Sequence, residues 1–322
     1  MTLAAWLMLA LIAVLVLAVT VAMRERAKTW SDIPASPLPA QQRPGMLFGY
    51  YSTLPGQTAQ VADHVNLIWW TQFAEPEALA AECAGNNFPI VLDCSLQLVQ
   101  RVDRTPSWRR ALNRLFETIG MPQWVKTDML GTLAADGEEC LRGLFSRLRD
   151  LGVLARCRYL VPVDEPEGQL DSPASLVLIL AAMRKVAAEF PELDNCKLCC
   201  IHSGGKPIWM PEAFDIQGVD NYGQRSMVLT DGDYARLVEL LKPGQQTILI
   251  PGAAYGQDPA PFVAWAQADG RVAMVLPFLW HQAQVHEGGA LDDGCGLSQQ
   301  GPEDQQRYRE AGLYLTGRGA PQ

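Results

Sequence analysis

Short apolar runs alternate with longer amphipathic stretches along most of the chain. Eight of the runs are rich in Val, Ile, Leu and aromatic residues and lack a regular apolar–polar alternation, as is typical of parallel strands buried on both faces. The stretches between them favour helices, and this order predicts parallel strands joined by crossover helices. The predicted strands are residues 46–52, 65–73, 88–95, 158–166, 197–205, 214–223, 247–256 and 272–282.

Several of the intervening segments carry residues that begin or end helices. Asp171 and Ser172 precede Pro173, which is a typical N-cap followed by proline in the first turn. Gly152 and Gly270 come directly after helical patterns, where glycine commonly ends a helix. The predicted helices are residues 75–84, 107–119, 127–151, 173–189, 231–241, 259–268 and 302–315, with a short one over 207–213.

Repeated strand–helix units predict the fold class. Eight units within residues 46–322 indicate one α/β domain, a (β/α)8 TIM barrel. The competing fold is an open doubly wound sheet, which commonly carries a Gly-x-Gly-x-x-Gly turn after its first strand. The residues after the first run have no such turn, so the sequence favours the barrel.

The N-terminal segment predicts a membrane anchor. Residues 3–23 are apolar except for Thr20, and no charged side chain precedes Arg24. A helix of about 20 apolar residues spans a bilayer, whereas a cleaved signal peptide usually has a shorter apolar stretch after basic residues. Residues 1–30 are therefore predicted as a transmembrane helix with its basic flank, and the Pro-rich residues 31–45 as a linker.

Charge distribution bears on localisation and partners. Arg24, Arg26 and Lys28 directly follow the predicted span, which favours a cytoplasmic domain on a single-pass membrane protein and leaves a periplasmic domain as the alternative. The formal net charge of −9 disfavours nucleic acid as a partner. The expected partners are the membrane, through the N-terminal helix, and the ligand of the barrel; the sequence does not indicate a protein partner.

The carboxyl ends of the predicted strands carry the candidate chemistry, because active sites of such barrels form there. Carboxylic acids and aromatic rings dominate the set, and a sugar site uses both: rings pack on sugar faces, and a pair of acids cleaves the glycosidic bond. The chosen residues are Tyr50, Trp70, Asp93, Asp164, Glu165, His202, Asp220, Tyr222, Tyr255 and Trp280. A carbohydrate ligand is expected, without cofactor or metal.

A short motif ends the fourth predicted strand, Val-Asp-Glu-Pro-Glu over residues 163–167. It resembles the Asn-Glu-Pro motif at the same place in the large clan of retaining TIM-barrel glycoside hydrolases. The resemblance implies that Glu165 is the general acid/base and that Asp164 stands where the clan has Asn. It also implies that Tyr222 orients the nucleophile and that Trp280 forms the floor of a sugar subsite.

The seventh predicted strand departs from that clan. Its nucleophile is a Glu at this position, but residues 250–256 contain no carboxylate, and Asp258 lies beyond the strand. A second pattern, similar to the α-galactosidase-like glycosidases, would make Asp164 the nucleophile and Asp220 the acid/base. Asp164 and Glu165 are neighbours and would point to opposite faces of a regular strand, although Pro166 interrupts the strand and could let both converge.

The leading functional hypothesis is a glycoside hydrolase that acts on a polysaccharide or glycan by carboxylate acid/base chemistry. The alternatives are a barrel that binds carbohydrate or acts as a scaffold without catalysis, and a barrel enzyme of other chemistry, such as a lyase. A zinc site at Cys196, Cys199, Cys200 and His202 is also conceivable. The neighbouring cysteines would lie on opposite faces of one strand, which favours buried apolar thiols instead.

Overall fold

Eight parallel strands form one curled sheet. The computed structural model describes residues 45–71, 75–103, 106–118, 129–220, 233–281 and 296–318. In these residues the sheet order is β1-β10-β9-β8-β7-β6-β3-β2, and all eight members coincide with predicted strands. The strands are β1 Leu47–Phe48, β2 Ile68–Trp70, β3 Ile90–Asp93, β4 Val99–Asp103, β5 Met129–Leu133, β6 Cys157–Val161, β7 Lys197–Ser203, β8 Ile216–Asp220, β9 Gln246–Leu249 and β10 Val272–Val275.

The two ends of the sheet order, β1 and β2, lie against each other. The Asn66 N–H donates to the Phe48 carbonyl at 2.9 Å, and the Thr53 N–H donates to the Trp69 carbonyl at 2.8 Å. A side chain at Gly49 would put its Cβ 2.5 Å from the Leu67 carbonyl oxygen, so this close approach requires glycine. The fold is therefore an α/β barrel, as the strand count predicts.

Helices follow most strands and cover the outside of the sheet. In α7 the Ser172 hydroxyl accepts the Ser175 N–H at 3.3 Å, which is the predicted N-cap. The helices are α1 Gln57–Val61, α2 Pro76–Cys83, α3 Ser95–Leu98, α4 Ser107–Thr118, α5 Gly137–Asp150, α6 Pro166–Gln169, α7 Pro173–Ala187, α8 Asp233–Leu240, α9 Ala260–Ala268 and α10 Pro302–Thr316.

One helix prediction is partly wrong. The segment 127–151 was expected to be a single helix, but its described part begins with β5, which pairs antiparallel with β4 as a two-stranded sheet. Gly131 allows this pairing, because a Cβ there would lie 2.4 Å from Val99 Cγ1. The helix α5 begins only after this sheet. The segment 207–213 forms a 3₁₀ turn, Pro211–Ala213, rather than an α-helix.

The predicted membrane localisation needs correction. Across the described ranges, no helix is both long and apolar enough to cross a bilayer. The structure thus gives no support to a single-pass membrane protein, and we withdraw that localisation together with the membrane as a partner. The segment on which the prediction was based, residues 1–30, and the linker up to residue 44 lie outside the described residues.

Two kinds of core result from the curled sheet. Inside the barrel, alternate residues of the strands meet in one buried cluster that includes Tyr51, Trp69, Val91 and Ile201. Their neighbours along the strands point outward and pack under the helices; Trp70 and Leu92 belong to this outer core. The alternation decides which of two adjacent residues at a strand end can reach the barrel mouth.

Candidate functional site

Four carboxyl groups lie together at the carboxyl ends of β3, β6 and β8. They belong to Asp93, Asp164, Glu165 and Asp220, and all four were predicted as site residues. The negative charges of Glu165, Asp93 and Asp220 all act on Asp164, and the carboxyl groups of Glu165 and Asp220 are hydrogen-bonded to each other. The fold thus brings together acids that are far apart in the sequence.

Asp164 lies at the centre of this cluster. The Tyr51 hydroxyl donates to Asp164 Oδ2, and the Asp164 N–H donates to Ser95 Oγ at 3.0 Å. The other carboxyl oxygen, Oδ1, is buried and has no hydrogen-bond partner among the described residues. Burial, followed by the charges of Glu165 and Asp93, raises the pKa of Asp164 well above its ordinary value. Burial and these charges therefore favour the protonated form of the Asp164 carboxyl group.

Asp93 supports the cluster from the neighbouring strand. Its Oδ1 accepts the Ser95 N–H at 2.8 Å and the Ser95 hydroxyl at 2.5 Å. Burial raises the pKa of Asp93 even though both bonds from Ser95 act to lower it. Ser95 is therefore shared between two acids, because its hydroxyl also accepts from the Asp164 backbone.

The backbone at Glu165 turns sharply out of the strand direction. Glu165 has φ 48° and ψ 56°, the left-handed region, and Pro166 begins α6 directly after it. The Glu165 N–H donates to the Ile201 carbonyl at 2.9 Å, which ties the turn to β7. This turn replaces the regular alternation of a strand, so Asp164 and Glu165 both face the carboxyl cluster.

The pKa of Glu165 is raised. Burial is the largest cause; the hydrogen bond with Asp220 and the positive charge of Lys206 oppose it, and the charge of Glu167 adds to it. Two hydrogen-bonded carboxyl groups share a proton, because two buried like charges repel each other. Glu165 and Asp220 are therefore arranged so that one can act as an acid and the other as a base.

Aromatic rings lie beside the carboxyl groups. The Tyr51 ring stacks on Trp69 with centroids 4.6 Å apart, and Phe278 packs on Tyr51 at 5.6 Å. Tyr255, which is 37% exposed, runs parallel to Phe278 at 6.3 Å. Tyr255 was predicted; Tyr51, Trp69 and Phe278 were not chosen. Tyr51 and Trp69 belong to the inner cluster, whereas their neighbours Tyr50 and Trp70 belong to the outer core.

Four other predicted ligand-binding residues point away from the mouth. The Tyr50 hydroxyl is hydrogen-bonded to His64 Nε2 at 3.1 Å in the outer core, and its ring packs on Trp280. Trp280 donates from Nε1 to Gln60 at 2.9 Å. Trp70 is 2% exposed and His202 is 0% exposed. We leave these four out of the candidate site. Tyr222 lies outside the described residues.

The end of the seventh barrel strand, β9, is where the resemblance to retaining glycoside hydrolases implies a nucleophile carboxylate. Asp258 does not extend into the mouth; its Oδ1 accepts the Ala260 N–H at 3.0 Å at the start of α9, and its charge acts on Tyr308 in the outer core. The residues that directly follow β9, up to Gly256, contain no carboxyl side chain. The described cluster therefore draws its acids from β3, β6 and β8.

The cysteines near β7 are buried thiols. Cys199 belongs to the inner cluster and Cys200 to the outer core, and burial raises the pKa of both thiols. His202 is bonded to Glu167 and Gln217. In the described part of the chain, no group of three or more His, Cys, Asp or Glu residues is arranged to hold a metal ion.

Comparisons with known proteins agree on the fold. No protein-family model and no curated protein matches the chain. A solved structure of a calcium-binding mutant of Bacteroides uniformis beta-glucuronidase 2 is 12% identical with a TM-score of 0.51, over 84% of this chain and 34% of that one. The chain thus spans about a third of that enzyme.

Two further solved structures also belong to glycoside hydrolases. A GH113 beta-1,4-mannanase is 12% identical with a TM-score of 0.45, over 84% of this chain and 98% of that one. Saccharomyces cerevisiae Gas2p in complex with laminaripentaose is 10% identical with a TM-score of 0.47, over 80% of this chain and 58% of that one. At these identities the likeness concerns the fold alone. The chain shares its TIM-barrel fold with the beta-glucuronidase structure of TM-score 0.51.

Proposed function

We propose that the chain cleaves glycosidic bonds in a glycan, with Glu165 as the proton donor and Asp220 as its ionised partner. The observation that carries the proposal is the hydrogen bond between these two carboxyl groups, at the end of the barrel where barrel enzymes have their active sites. Hydrolysis of a glycoside requires one protonated and one ionised carboxyl group on either side of the bond.

The raised pKa of Glu165 supports the choice of acid. Burial keeps this pKa above its ordinary value although the hydrogen bond with Asp220 acts to lower it, and a carboxyl group with a raised pKa can give its proton to the glycosidic oxygen as the C–O bond breaks. The ionised Asp220 then either takes the proton of an attacking water or bonds to the sugar first. The hydrogen-bonded pair is closer than the roughly 5 Å that a bound sugar needs, so the sugar ring has to enter between the two groups.

Asp164 is better suited to orienting the ligand than to attacking it. A nucleophile must be ionised, whereas the pKa of Asp164 is raised well above its ordinary value by burial and by its acidic neighbours. Its buried Oδ1, for which the described residues provide no donor, can instead bond to a sugar hydroxyl. This argues against the second sequence hypothesis, in which Asp164 is the nucleophile. Tyr51, Phe278 and Tyr255 provide rings for the sugar face.

The test is hydrolysis of a panel of oligosaccharides by the wild-type chain, by Glu165→Gln and by Asp220→Asn. We expect each amide to lower kcat by about 100-fold or more, since general acid–base catalysis contributes about that much. The matched control is Glu212→Gln, an exposed glutamate on the 3₁₀ turn Pro211–Ala213, which should leave kcat unchanged. Full activity in both site variants would contradict the proposal.

A second candidate function is carbohydrate binding without catalysis. It is favoured by the lack of a carboxyl side chain directly after β9, in residues 250–256. In this case, calorimetry would detect binding of an oligosaccharide that the wild-type chain does not cleave. Replacing Tyr255 by Ala should then weaken binding by about 10-fold, because a stacked ring contributes about 1 kcal/mol or more.

A further inference from the structure

Two fully buried polar side chains, Glu167 and His202, contact each other two residues after Glu165 along α6. The side chains of Glu167 and His202 are 1% and 0% exposed, and His202 Nδ1 lies 2.7 Å from Glu167 Oε1. Neither residue is part of the carboxyl cluster at the mouth. Burying such a pair is costly unless each polar atom finds a partner, so its remaining contacts indicate what it does.

Glu167 is bonded to three backbone or side-chain donors. Oε1 also accepts the Trp209 N–H at 2.8 Å, and Oε2 accepts the Ser203 N–H at 3.1 Å. His202 Nε2 continues the chain of bonds to Gln217 Oε1 at 3.0 Å. Burial acts to raise the pKa of Glu167, but the hydrogen bond and charge of His202 outweigh it and lower that pKa. The ionised carboxylate therefore joins α6 to β7 and, through His202, to β8.

Those two strands also position the proposed catalytic pair. Glu165 directly precedes α6, and its carbonyl accepts the N–H groups of Gly168 and Gln169 at 2.8 and 2.9 Å. Asp220 ends β8, and Ser203 is its register partner on β7. A left-handed conformation at a non-glycine residue such as Glu165 costs about 1 kcal/mol or more. Contacts with the surrounding strands therefore have to stabilise this turn.

We propose that Glu167, fixed by His202, is a positioning residue that holds Glu165 against Asp220. Glu167 lies in α6, two residues after Glu165, and its carboxylate accepts the Ser203 N–H of β7. The consequence for catalysis rests on the proposed function, whereas the positioning itself can be measured without any substrate.

Charge effects have to be separated from position effects. Glu165 faces Asp220 and Lys206, while the charges of Asp164 and Glu167 lie nearby. The Lys206 ammonium donates to the Glu167 carbonyl at 3.1 Å, which a change of the Glu167 side chain leaves in place. Removing the Glu167 charge shifts the titration of Glu165 by the same amount with or without Asp220. The coupling between Glu165 and Asp220 is therefore the informative quantity.

The experiment follows the Glu165 carboxyl carbon by ¹³C NMR against pH in the full chain, with Glu165→Gln for assignment. Asp220→Asn should move the Glu165 midpoint by about 1 pH unit or more, as expected for a coupled pair. In a Glu167→Gln background we expect the same substitution to move it by less than half as much. An equal shift in both backgrounds, in chains that circular dichroism shows to be folded, would overturn the proposal.

A second pair of variants keeps the test decisive if Glu167→Gln does not fold. His202→Asn retains an N–H donor near the place of Nδ1 and should preserve the coupling, whereas His202→Leu removes it and should lower the coupling. Equal coupling in both His202 variants would overturn the proposal. A chain that cleaves no glycan but loses coupling in Glu167→Gln would refute the proposed function and leave the positioning role in place.

Discussion

The environment of Asp164 dominates the site at the scale of single residues. One oxygen of its carboxyl group accepts the Tyr51 hydroxyl, and the other is buried with no hydrogen-bond partner in the described part of the chain. Acids on β3 and β8 and its own neighbour Glu165 surround it, and burial with these charges raises its pKa. A protonated aspartic acid is then the stable form, so folding and protonation of this residue are linked.

The linkage gives a pH-dependent expectation for Asp164→Asn. The pKa of Asp164 is raised in the folded chain, so its contribution to stability is complete below about pH 4, its ordinary range, and is lost as pH rises through the folded value. Asparagine has no such loss. We therefore expect wild type and Asp164→Asn to have similar Tm at low pH. At pH 8 the Tm of the variant should exceed that of the wild type by about 2–4 °C for each kcal/mol by which its free energy of unfolding is higher.

The matched control for this measurement is Asp194→Asn, an exposed aspartate after the 3₁₀ turn Pro191–Leu193. Its Tm should follow the wild type at every pH. Thermal unfolding by circular dichroism at several pH values measures all three chains. A Tm of Asp164→Asn below that of the wild type at pH 8 would show that the ionised carboxylate stabilises the fold, contrary to the burial argument.

The small β4–β5 sheet is the main departure at the scale of elements. The sequence predicted one helix over residues 127–151, which covers β5 but not β4, because residues 137–150 are strongly amphipathic; the Asp136-Gly137 turn signal at their start was not used. The five residues of β5 have too little length for a periodicity of their own. Their partner β4 was not predicted as a strand, so nothing local indicated the pairing.

Gly131 is the residue on which this pairing depends. A Cβ there would lie 2.4 Å from Val99 Cγ1 and 3.0 Å from the Gln169 carbonyl oxygen. We expect Gly131→Ala to lower the free energy of unfolding by about 1–3 kcal/mol through overpacking. Gly143→Ala is the control, since it lies within α5 with no atom inside 4 Å and should stabilise by about 0.5–1 kcal/mol. Urea denaturation compares them; equal stability of the two variants would contradict the packing argument.

The strand ends show why the site was only partly predictable. Position along each strand selected Asp93, Asp164, Glu165 and Asp220, because the carboxyl ends of parallel strands meet at one edge. The choice between neighbours failed for Tyr50 and Trp70, since both runs are apolar on each face and the sequence does not show which face is inside. The left-handed turn at Glu165 also has no local signal, because glycine is the usual residue there.

At the scale of the whole molecule, the barrel brings acidic residues that are far apart in the sequence together at its mouth. Closure between β1 and β2 places Tyr51 and Trp69 beside acids from β3, β6 and β8. The parallel strand order follows from the alternation of strands and helices, so the sequence alone predicted the fold. The pairing of Glu165 with Asp220 depends on the curl of the sheet and could not be predicted from spacing.

The central claim is that a sugar binds between Glu165 and Asp220. It is tested most directly by a crystal structure of the full chain carrying Glu165→Gln, soaked with the best-bound oligosaccharide. We expect the residue 165 amide within hydrogen-bonding distance of a glycosidic oxygen. The two side chains should be separated by about 5 Å for a retaining outcome or about 6.5–9.5 Å for an inverting one. An oligosaccharide bound away from both residues, with the pair still in contact, would contradict it.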